Sequence, residues 1–161
     1  MTSYADFLAG KSQLGTGHGF EPLWLHDGLF NFKAAIVRWA LIKGRAAVFA
    51  DCGLGKTLIQ LVWAENVVRK TNGRVLILTP LAVSGQTVRE AAKFGIEAAV
   101  CRDGRLPATK IVVTNYAYWM ALSRYDRGDA LEQQDLFDYL VCDEAHTIQQ
   151  WLTDLVTVEI S

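Results

Sequence analysis

The stretch that decides the fold is Ala50–Thr57, which reads Ala-Asp-Cys-Gly-Leu-Gly-Lys-Thr. It follows a continuous apolar run, Ala46–Ala50, which is typical of a strand covered on both faces, and it leads into a helical pattern from about Thr57 to Arg69. Glycines at positions 53 and 55 allow the backbone to curl until its N–H groups converge. The sequence therefore predicts a phosphate-binding loop between a strand and a helix.

The residues of this loop have distinct expected roles. Lys56 would reach the β and γ phosphates as a point charge, and the Thr57 hydroxyl would ligate Mg²⁺. Ala50 stands where the general pattern has its first glycine. The alternative interpretation is a glycine-rich turn with an incidental lysine. The backbone N–H groups that face the phosphates would come from Gly53, Leu54 and Gly55.

A second motif, Tyr139–His146, reads Tyr-Leu-Val-Cys-Asp-Glu-Ala-His and places two carboxylates at the end of an apolar strand. Asp143 is suited to hold Mg²⁺, and Glu144 is suited to orient or deprotonate a water that attacks the γ phosphate. Asp143 alone is equally consistent with a residue that caps the following helix. The two motifs together predict a nucleotide-hydrolysing site.

The rest of the chain alternates between short apolar runs and helical patterns, which predicts an α/β fold with a parallel sheet and helices on both faces. In the first helix, Phe32, Ile36 and Trp39 are among the apolar positions at helical spacing, and Lys43-Gly44 predicts its end. Residues 1–27 are predicted as an irregular glycine-rich segment and 28–161 as one domain. The remaining predicted helices are Ser84–Phe94 and Tyr116–Arg124, and the remaining strands are Arg74–Thr79, Glu97–Cys101, Lys110–Thr114 and Tyr139–Cys142.

Composition narrows the class of protein. The chain has 161 residues, which is enough for one domain, and 16 basic against 17 acidic residues give a net charge of −1. The overall field would not draw the chain onto DNA or a membrane, so any nucleic-acid contact must be local. Because the sequence has neither an uninterrupted apolar span nor a secretory signal pattern, we expect a cytoplasmic protein without a membrane partner.

The two motifs resemble motifs I and II of superfamily 2 helicases, on the residues Gly53–Thr57 and Asp143–His146. Asp51 and the triplet Thr114-Asn115-Tyr116 are most similar to the Swi/Snf-like branch with a DEAH box, including its phage and bacterial members. The resemblance covers about Phe20 to His146. It implies a three-layer P-loop NTPase (RecA-like) sandwich that binds ATP and Mg²⁺, in a bacterial or phage-infected host cell.

The same resemblance implies site residues and partners. Lys56, Asp143 and Glu144 would be catalytic, and Thr57 with Asp143 would hold the metal. Thr79–Gln86 corresponds to motif Ia and Thr114–Tyr116 to motif Ib, which face the nucleic-acid backbone in that family. Double-stranded DNA and a second RecA-like lobe are therefore the expected partners, although both segments also suit a strand stopped by proline and a strand-to-helix turn.

The chain departs from the family at the element that reads adenine. Where the family has a glutamine after Leu-x-x-Tyr/Phe, this chain has Leu29–Lys33, which reads Leu-Phe-Asn-Phe-Lys. Lysine has no acceptor, so Lys33 cannot make the paired donor and acceptor contact that glutamine makes to adenine. Lys33 is therefore a cofactor-binding candidate that predicts altered base selectivity, and Phe20 or Trp24 is a candidate for stacking on the base.

A second departure follows the DEAH-type motif. In the family, a strand with motif III lies between the strands of motifs I and II, and a second lobe supplies an arginine finger. Neither is recognisable here, so Ala46–Ala50 and Tyr139–Cys142 are expected to flank a gap. Leu155–Ile160 has β propensity, but the crossover that would precede it is short. We therefore expect an incomplete lobe and little hydrolysis by this chain alone.

Two other functions are compatible with the same residues. One is a non-catalytic module that binds a nucleotide, DNA or a partner protein through an open sheet edge. The other is the motor fragment of a restriction enzyme, which would use the same two motifs. Replacement of Glu144 distinguishes the first from a motor, because a binding module does not need the attacking water.

Overall fold

The computed structural model describes residues 18–51, 53–102, 106–119 and 137–145. Residues 1–17, His146 and the predicted strand Leu155–Ile160 lie outside this part of the chain. The chain divides into two compact units, one up to Asn66 and one from Val67 onward.

In the first unit, helix α1 spans Asn31–Lys43. Its predicted end is confirmed, because Gly44 has φ +75° and donates its N–H to the carbonyl oxygens of Ala40 and Leu41 at 3.0 and 3.2 Å. A side chain at that φ would be strained, so glycine suits the position. The buried residues of α1 are Val37, Ala40 and Leu41.

The apolar face predicted for α1 is partly wrong. Phe32 and Trp39 are 49% and 44% exposed, and Ile36 is half-buried. Phe32, Ile36 and Trp39 do share one face of the helix, but the buried stripe through Val37, Ala40 and Leu41 lies about a third of a turn around the helix from that face. The large aromatic side chains of this helix are therefore available at its surface.

The predicted strand at Ala46–Ala50 is also wrong, because these residues form irregular chain in the structure. Val48 is 38% exposed and Phe49 is 97% exposed. An apolar run becomes a strand when a neighbouring strand pairs with its backbone and packing covers its faces. Among the described residues, no strand pairs with this segment. The apolar pattern of Ala46–Ala50 is therefore present without the strand pairing and packing that would make it a strand.

Helix α2 spans Lys56–Thr71, and the boundary between the two units lies within it. Leu58, Leu61 and Val62 are buried. Asn66 is fully buried on the same helix. Its side-chain oxygen accepts the N–H groups of Leu23 and Trp24 at 2.8 and 2.9 Å.

The Asn66 amide nitrogen completes this contact. It donates to the carbonyl oxygens of Trp24 and Val62 at 2.7 and 2.8 Å. A buried amide with every polar atom satisfied fixes the irregular segment 18–30 against α2. The role of Asn66 was not predicted, although an asparagine one helical turn after the apolar Val62 was the available signal.

The second unit contains a parallel sheet whose strands lie in the order β2 (Ala98–Val100), β3 (Ile111–Asn115), β1 (Val75–Thr79) and β4 (Tyr139–Cys142). Register pairs Val75 with both Ile111 and Tyr139, and Ala98 with Ile111. Helix α3, Ser84–Lys93, packs against β2 and β3. The four strands confirm those predicted in this region.

The core of this unit lies on the central strands, since every residue of β1 and β3 is buried. Leu76, Leu78 and Val112 pack with Cys101 and Tyr116 into one cluster. Strands that are buried on both faces account for the uninterrupted apolar runs in the sequence. In the part of the chain that the structure covers, no helix combines the length and apolar character needed to cross a bilayer.

Candidate functional site

The loop before α2 has the backbone conformation that its sequence predicts. Gly53 and Gly55 have φ values of +82° and +72°, in the left-handed region. A Cβ atom on Gly53 would meet no atom within 4 Å, so glycine serves the backbone conformation alone at that position. Left-handed conformations of this kind occur in anion-binding nests, and in this structure the Leu54 N–H, between the two glycines, donates to the Asp51 carbonyl oxygen at 3.5 Å.

The helix begins directly at the predicted phosphate-binding lysine. Lys56 is the first residue of α2, and both Lys56 and Thr57 are half-buried. Ile59 donates its N–H to the Gly55 carbonyl oxygen at 3.4 Å, which closes the first turn onto the loop. The N–H groups of a first helical turn have no partners within the helix and lie at the positive end of its dipole.

Lys33 of α1 reaches this loop. A Cβ atom placed on Gly55 would run into the Lys33 ammonium and would lie 3.0 Å from Lys33 Cε. Glycine suits position 55 because of the left-handed φ, and a Cβ there would also push aside the flexible end of the Lys33 side chain. Within the first unit, the structure thus brings together Lys33 and the loop at Gly53–Thr57, all of them predicted site residues.

The second motif lies in the other unit, at the carboxyl end of β4. Asp143 donates its backbone N–H to the Leu78 carbonyl oxygen at 2.8 Å, and the side chains of Asp143 and Glu144 are half-buried. Glu144 has φ +53°, a conformation that costs energy for a residue with a Cβ. Strained residues of this kind are concentrated at functional sites.

Tyr116 holds this turn from a neighbouring element. Its hydroxyl donates to the Asp143 carbonyl oxygen at 2.6 Å. Burial raises the pKa of the Tyr116 hydroxyl well above its ordinary value, and the nearby Cys142 thiol and the two carboxylates add to the rise. Burial also raises the pKa of the Cys142 thiol. The tyrosine therefore stays a protonated donor beside the two carboxylates.

The resemblance placed Tyr116 in motif Ib, and its contact with the Asp143 backbone was not predicted. A tyrosine directly after a buried strand was the only signal available, because the partner is a main-chain oxygen distant in sequence. The other polar side chains of motif Ib bond within the second unit. Thr114 donates to the Cys101 carbonyl oxygen at 2.9 Å, and the Asn115 side-chain oxygen accepts the Tyr118 N–H at 2.8 Å.

The segment that corresponds to motif Ia ends β1 and begins α3. The Thr79 hydroxyl is buried and has no hydrogen-bond partner among the described residues. At the start of α3, a Cβ on Gly85 would lie 3.2 Å from a guanidinium nitrogen of Arg102 and 3.4 Å from one of Arg89. This end of the second unit therefore carries a local positive charge on a chain whose net charge is −1.

The donor groups fit magnesium in their chemistry. Mg²⁺ in nucleotide sites takes one or two protein oxygens together with phosphate oxygens and water. Thr57 offers a hydroxyl in the first unit, and Asp143 offers a carboxylate in the second. Groups of three or more ligands that would form a complete metal cage do not occur in the described ranges, and a magnesium site of this type does not need one.

Three solved structures have a similar fold. The UvsW helicase of bacteriophage T4 has a TM-score of 0.58 and 20% identity, over 89% of this chain and 51% of that one. The SWI2/SNF2 ATPase core domain of Sulfolobus solfataricus has a TM-score of 0.60 and 24% identity, over 78% and 27%. Another T4 UvsW structure has a TM-score of 0.60 and 18% identity, over 89% and 29%. These likenesses confirm the predicted α/β fold of a RecA-like helicase lobe.

The sequence comparisons add a family. The family model described as "Type III restriction enzyme, res subunit" matches residues 33–154. No curated protein gave a match. The chain spans about half the length of one of the similar structures and less than a third of the other two.

Proposed function

Because the chain belongs to the family described as type III restriction enzyme, res subunit, we propose that it is the N-terminal ATP-binding lobe of a superfamily 2 DNA helicase or translocase. Within that superfamily we assign it to the Swi/Snf-like, DEAH-box branch of phage and bacterial type. The observation that carries the proposal is the loop at Gly53–Thr57. Two left-handed glycines lead into a helix whose first residue is Lys56, as phosphate binding requires.

The proposed roles follow from the chemistry of each group. Backbone N–H groups of Gly53 and Gly55 bind phosphate oxygens, and the Lys56 ammonium offsets their negative charge. The Leu54 N–H joins them by exchanging the Asp51 carbonyl oxygen, its partner at 3.5 Å, for a phosphate oxygen. Glu144 accepts a proton from the attacking water or orients it. Magnesium, held by Thr57 and Asp143, would neutralise charge that develops on the phosphates.

The proposed macromolecular partners are duplex DNA and a second RecA-like lobe. The positive charge of Arg89 and Arg102 near Gly85 supports contact of the motif Ia segment with a phosphate backbone. An arginine finger raises the rate of phosphoryl transfer by about 10³ to 10⁵, and the second lobe is its source in helicases of this type. We therefore propose that hydrolysis is slow when the second lobe is not present, and that the protein acts in the cytoplasm.

The test is Mg²⁺-dependent ATP hydrolysis with and without duplex DNA, measured for the chain and for Lys56→Ala and Glu144→Gln. We expect turnover to be slow in the unmodified chain, and nucleotide binding to persist in Glu144→Gln but not in Lys56→Ala. Rapid DNA-stimulated turnover that is lost in both variants would contradict the proposal of weak activity. Nucleotide binding that survives in Lys56→Ala would contradict the assigned loop.

A second candidate function is the motor fragment of a restriction enzyme, which the description of the family favours. It uses the same residues and differs in the partner that the motor serves. A non-catalytic binding module is the third candidate. If Glu144→Gln leaves the function of the complete assembly intact, the motor assignments fail and the binding module stands.

A further inference from the structure

Lys33 enters the phosphate-binding loop from an element outside it. It is the third residue of α1, and its backbone N–H donates to the Phe30 carbonyl oxygen at 2.9 Å, which fixes the start of the helix. Its side chain is half-buried, and its ammonium and Cε pack against the backbone of Gly55. A second lysine therefore faces the loop that Lys56 completes.

Two aromatic rings hold the Lys33 ammonium in this place. The Nζ atom lies 5.3 Å from the centre of the Phe30 ring and 5.7 Å from the centre of the Phe32 ring. Both distances suit cation–π attraction. The rings are 69% and 49% exposed, so they also present apolar surface on which a base can stack without a hydrogen-bonded readout.

An open surface depression of about 420 Å³ is lined by residues 27–31, which include Phe30. The loop, the lysine, the rings and this depression all belong to the first unit. One end of this arrangement suits phosphates, and the other suits an aromatic base.

We propose that Lys33 binds the phosphates of the nucleotide rather than its base, and that the site therefore accepts purine nucleoside triphosphates without selecting adenine. The inference rests on the proposed function, since it concerns the same nucleotide. The ammonium offers three donors and no acceptor, so it matches phosphate oxygens and cannot match the paired donor and acceptor edge of adenine.

Calorimetric titration in Mg²⁺ with ATP, GTP and inorganic tripolyphosphate tests this inference on the full chain. The variants are Lys33→Gln, Lys33→Arg and Lys56→Ala, with Lys43→Gln as the matched control because Lys43 ends the same helix. Circular dichroism checks that each variant folds. If Lys33→Gln does not fold, the inference is still tested by the ratio of the ATP and GTP dissociation constants of the unmodified chain. Lys33→Arg then shows whether a second cationic side chain at this position retains tripolyphosphate binding.

We expect ATP and GTP to bind with dissociation constants within about threefold of each other. Removal of one charge-assisted contact should weaken tripolyphosphate binding about tenfold in Lys33→Gln, while Lys33→Arg and Lys43→Gln retain it. Lys33→Gln should also gain a preference for ATP over GTP.

A preference for ATP beyond threefold in the unmodified chain would overturn the inference, as would tripolyphosphate binding that is unchanged in Lys33→Gln. If Lys56→Ala still loses binding in that case, the proposed function stands and only the role of Lys33 fails. If the unmodified chain binds none of the three ligands, the proposed function and this inference fail together.

Discussion

Gly55 has a left-handed φ and also lies against the end of the Lys33 side chain. Its replacement therefore tests both the loop conformation and the Lys33 contact. In Gly55→Ala the new Cβ would be strained at φ +72° and would displace the Lys33 ammonium. We expect nucleotide affinity to fall at least about tenfold, a difference of 1.4 kcal/mol. Gly53→Ala is the comparison, because it adds conformational strain at a position with open space. An equal, small effect of both replacements in a titration with ATP would contradict a role for the Lys33 contact.

Tyr116 is expected to stabilise the turn that carries Asp143. In Tyr116→Phe the Asp143 carbonyl oxygen loses its donor, which should lower the free energy of unfolding by about 1 kcal/mol. The measurement is urea unfolding at pH 8, with Tyr139→Phe as the control. Equal stability of Tyr116→Phe and the unmodified chain would show that the 2.6 Å contact contributes nothing.

The raised pKa of Tyr116 also gives the stability a defined pH dependence. Above about pH 10 the unfolded chain loses this proton while the folded chain keeps it, so the free energy of unfolding falls as the pH rises. The raised pKa of the Cys142 thiol acts in the same direction from a lower pH. Between pH 8 and 11, the free energy of unfolding should therefore fall less steeply in Tyr116→Phe than in the unmodified chain. A fall of the same size in both proteins would contradict the burial of a protonated tyrosine.

Among the elements, α2 depends on one buried amide for its contact with the segment 18–30. Asn66→Ala removes four hydrogen bonds and leaves the Leu23 and Trp24 backbone groups without their partner. We expect a loss of about 3 kcal/mol in the free energy of unfolding. Asn31→Ala, on the exposed start of α1, is the control and should change stability by less than about 0.5 kcal/mol.

The ends of β1 and β3 offer a matched pair of threonines. The buried Thr114 hydroxyl donates to the Cys101 carbonyl oxygen, whereas the buried Thr79 hydroxyl has no partner among the described residues. Thr114→Val should cost about 1 kcal/mol, and Thr79→Val should be neutral or stabilising. Thermal unfolding measures both. A larger loss in Thr79→Val than in Thr114→Val would reverse this assignment.

At the scale of the molecule, the sequence predicts the sheet better than it predicts the first unit. Strands such as Val75–Thr79 are buried on both faces, so their apolar runs and bounding turns coincide with the elements. Ala46–Ala50 has the same apolar pattern, but no strand pairs with it in the part of the chain that the structure describes, and a local pattern does not encode pairing. The strand prediction failed there for that reason.

In the candidate site, too, the local features could be predicted from the sequence and the long-range contacts could not. The spacing of the glycines and the lysine predicts a loop whose backbone curls, and the left-handed φ values of Gly53 and Gly55 are consistent with such a loop. The contacts of Lys33 with Gly55 and of Tyr116 with Asp143 join residues that are distant in sequence. Local patterns carry no information on such contacts, so the structure was needed to find them.

The central claim, that the chain binds a nucleotide through the loop at Gly53–Thr57, is tested most directly by titration of the purified chain with ATP in Mg²⁺. The account predicts saturable binding that weakens at least about tenfold in Lys56→Ala, because the ammonium that offsets the phosphate charge is lost. Lys70→Ala, at the exposed far end of the same helix, should bind as the unmodified chain does. Equal affinity of the unmodified chain and Lys56→Ala, or no binding by either, would contradict the claim.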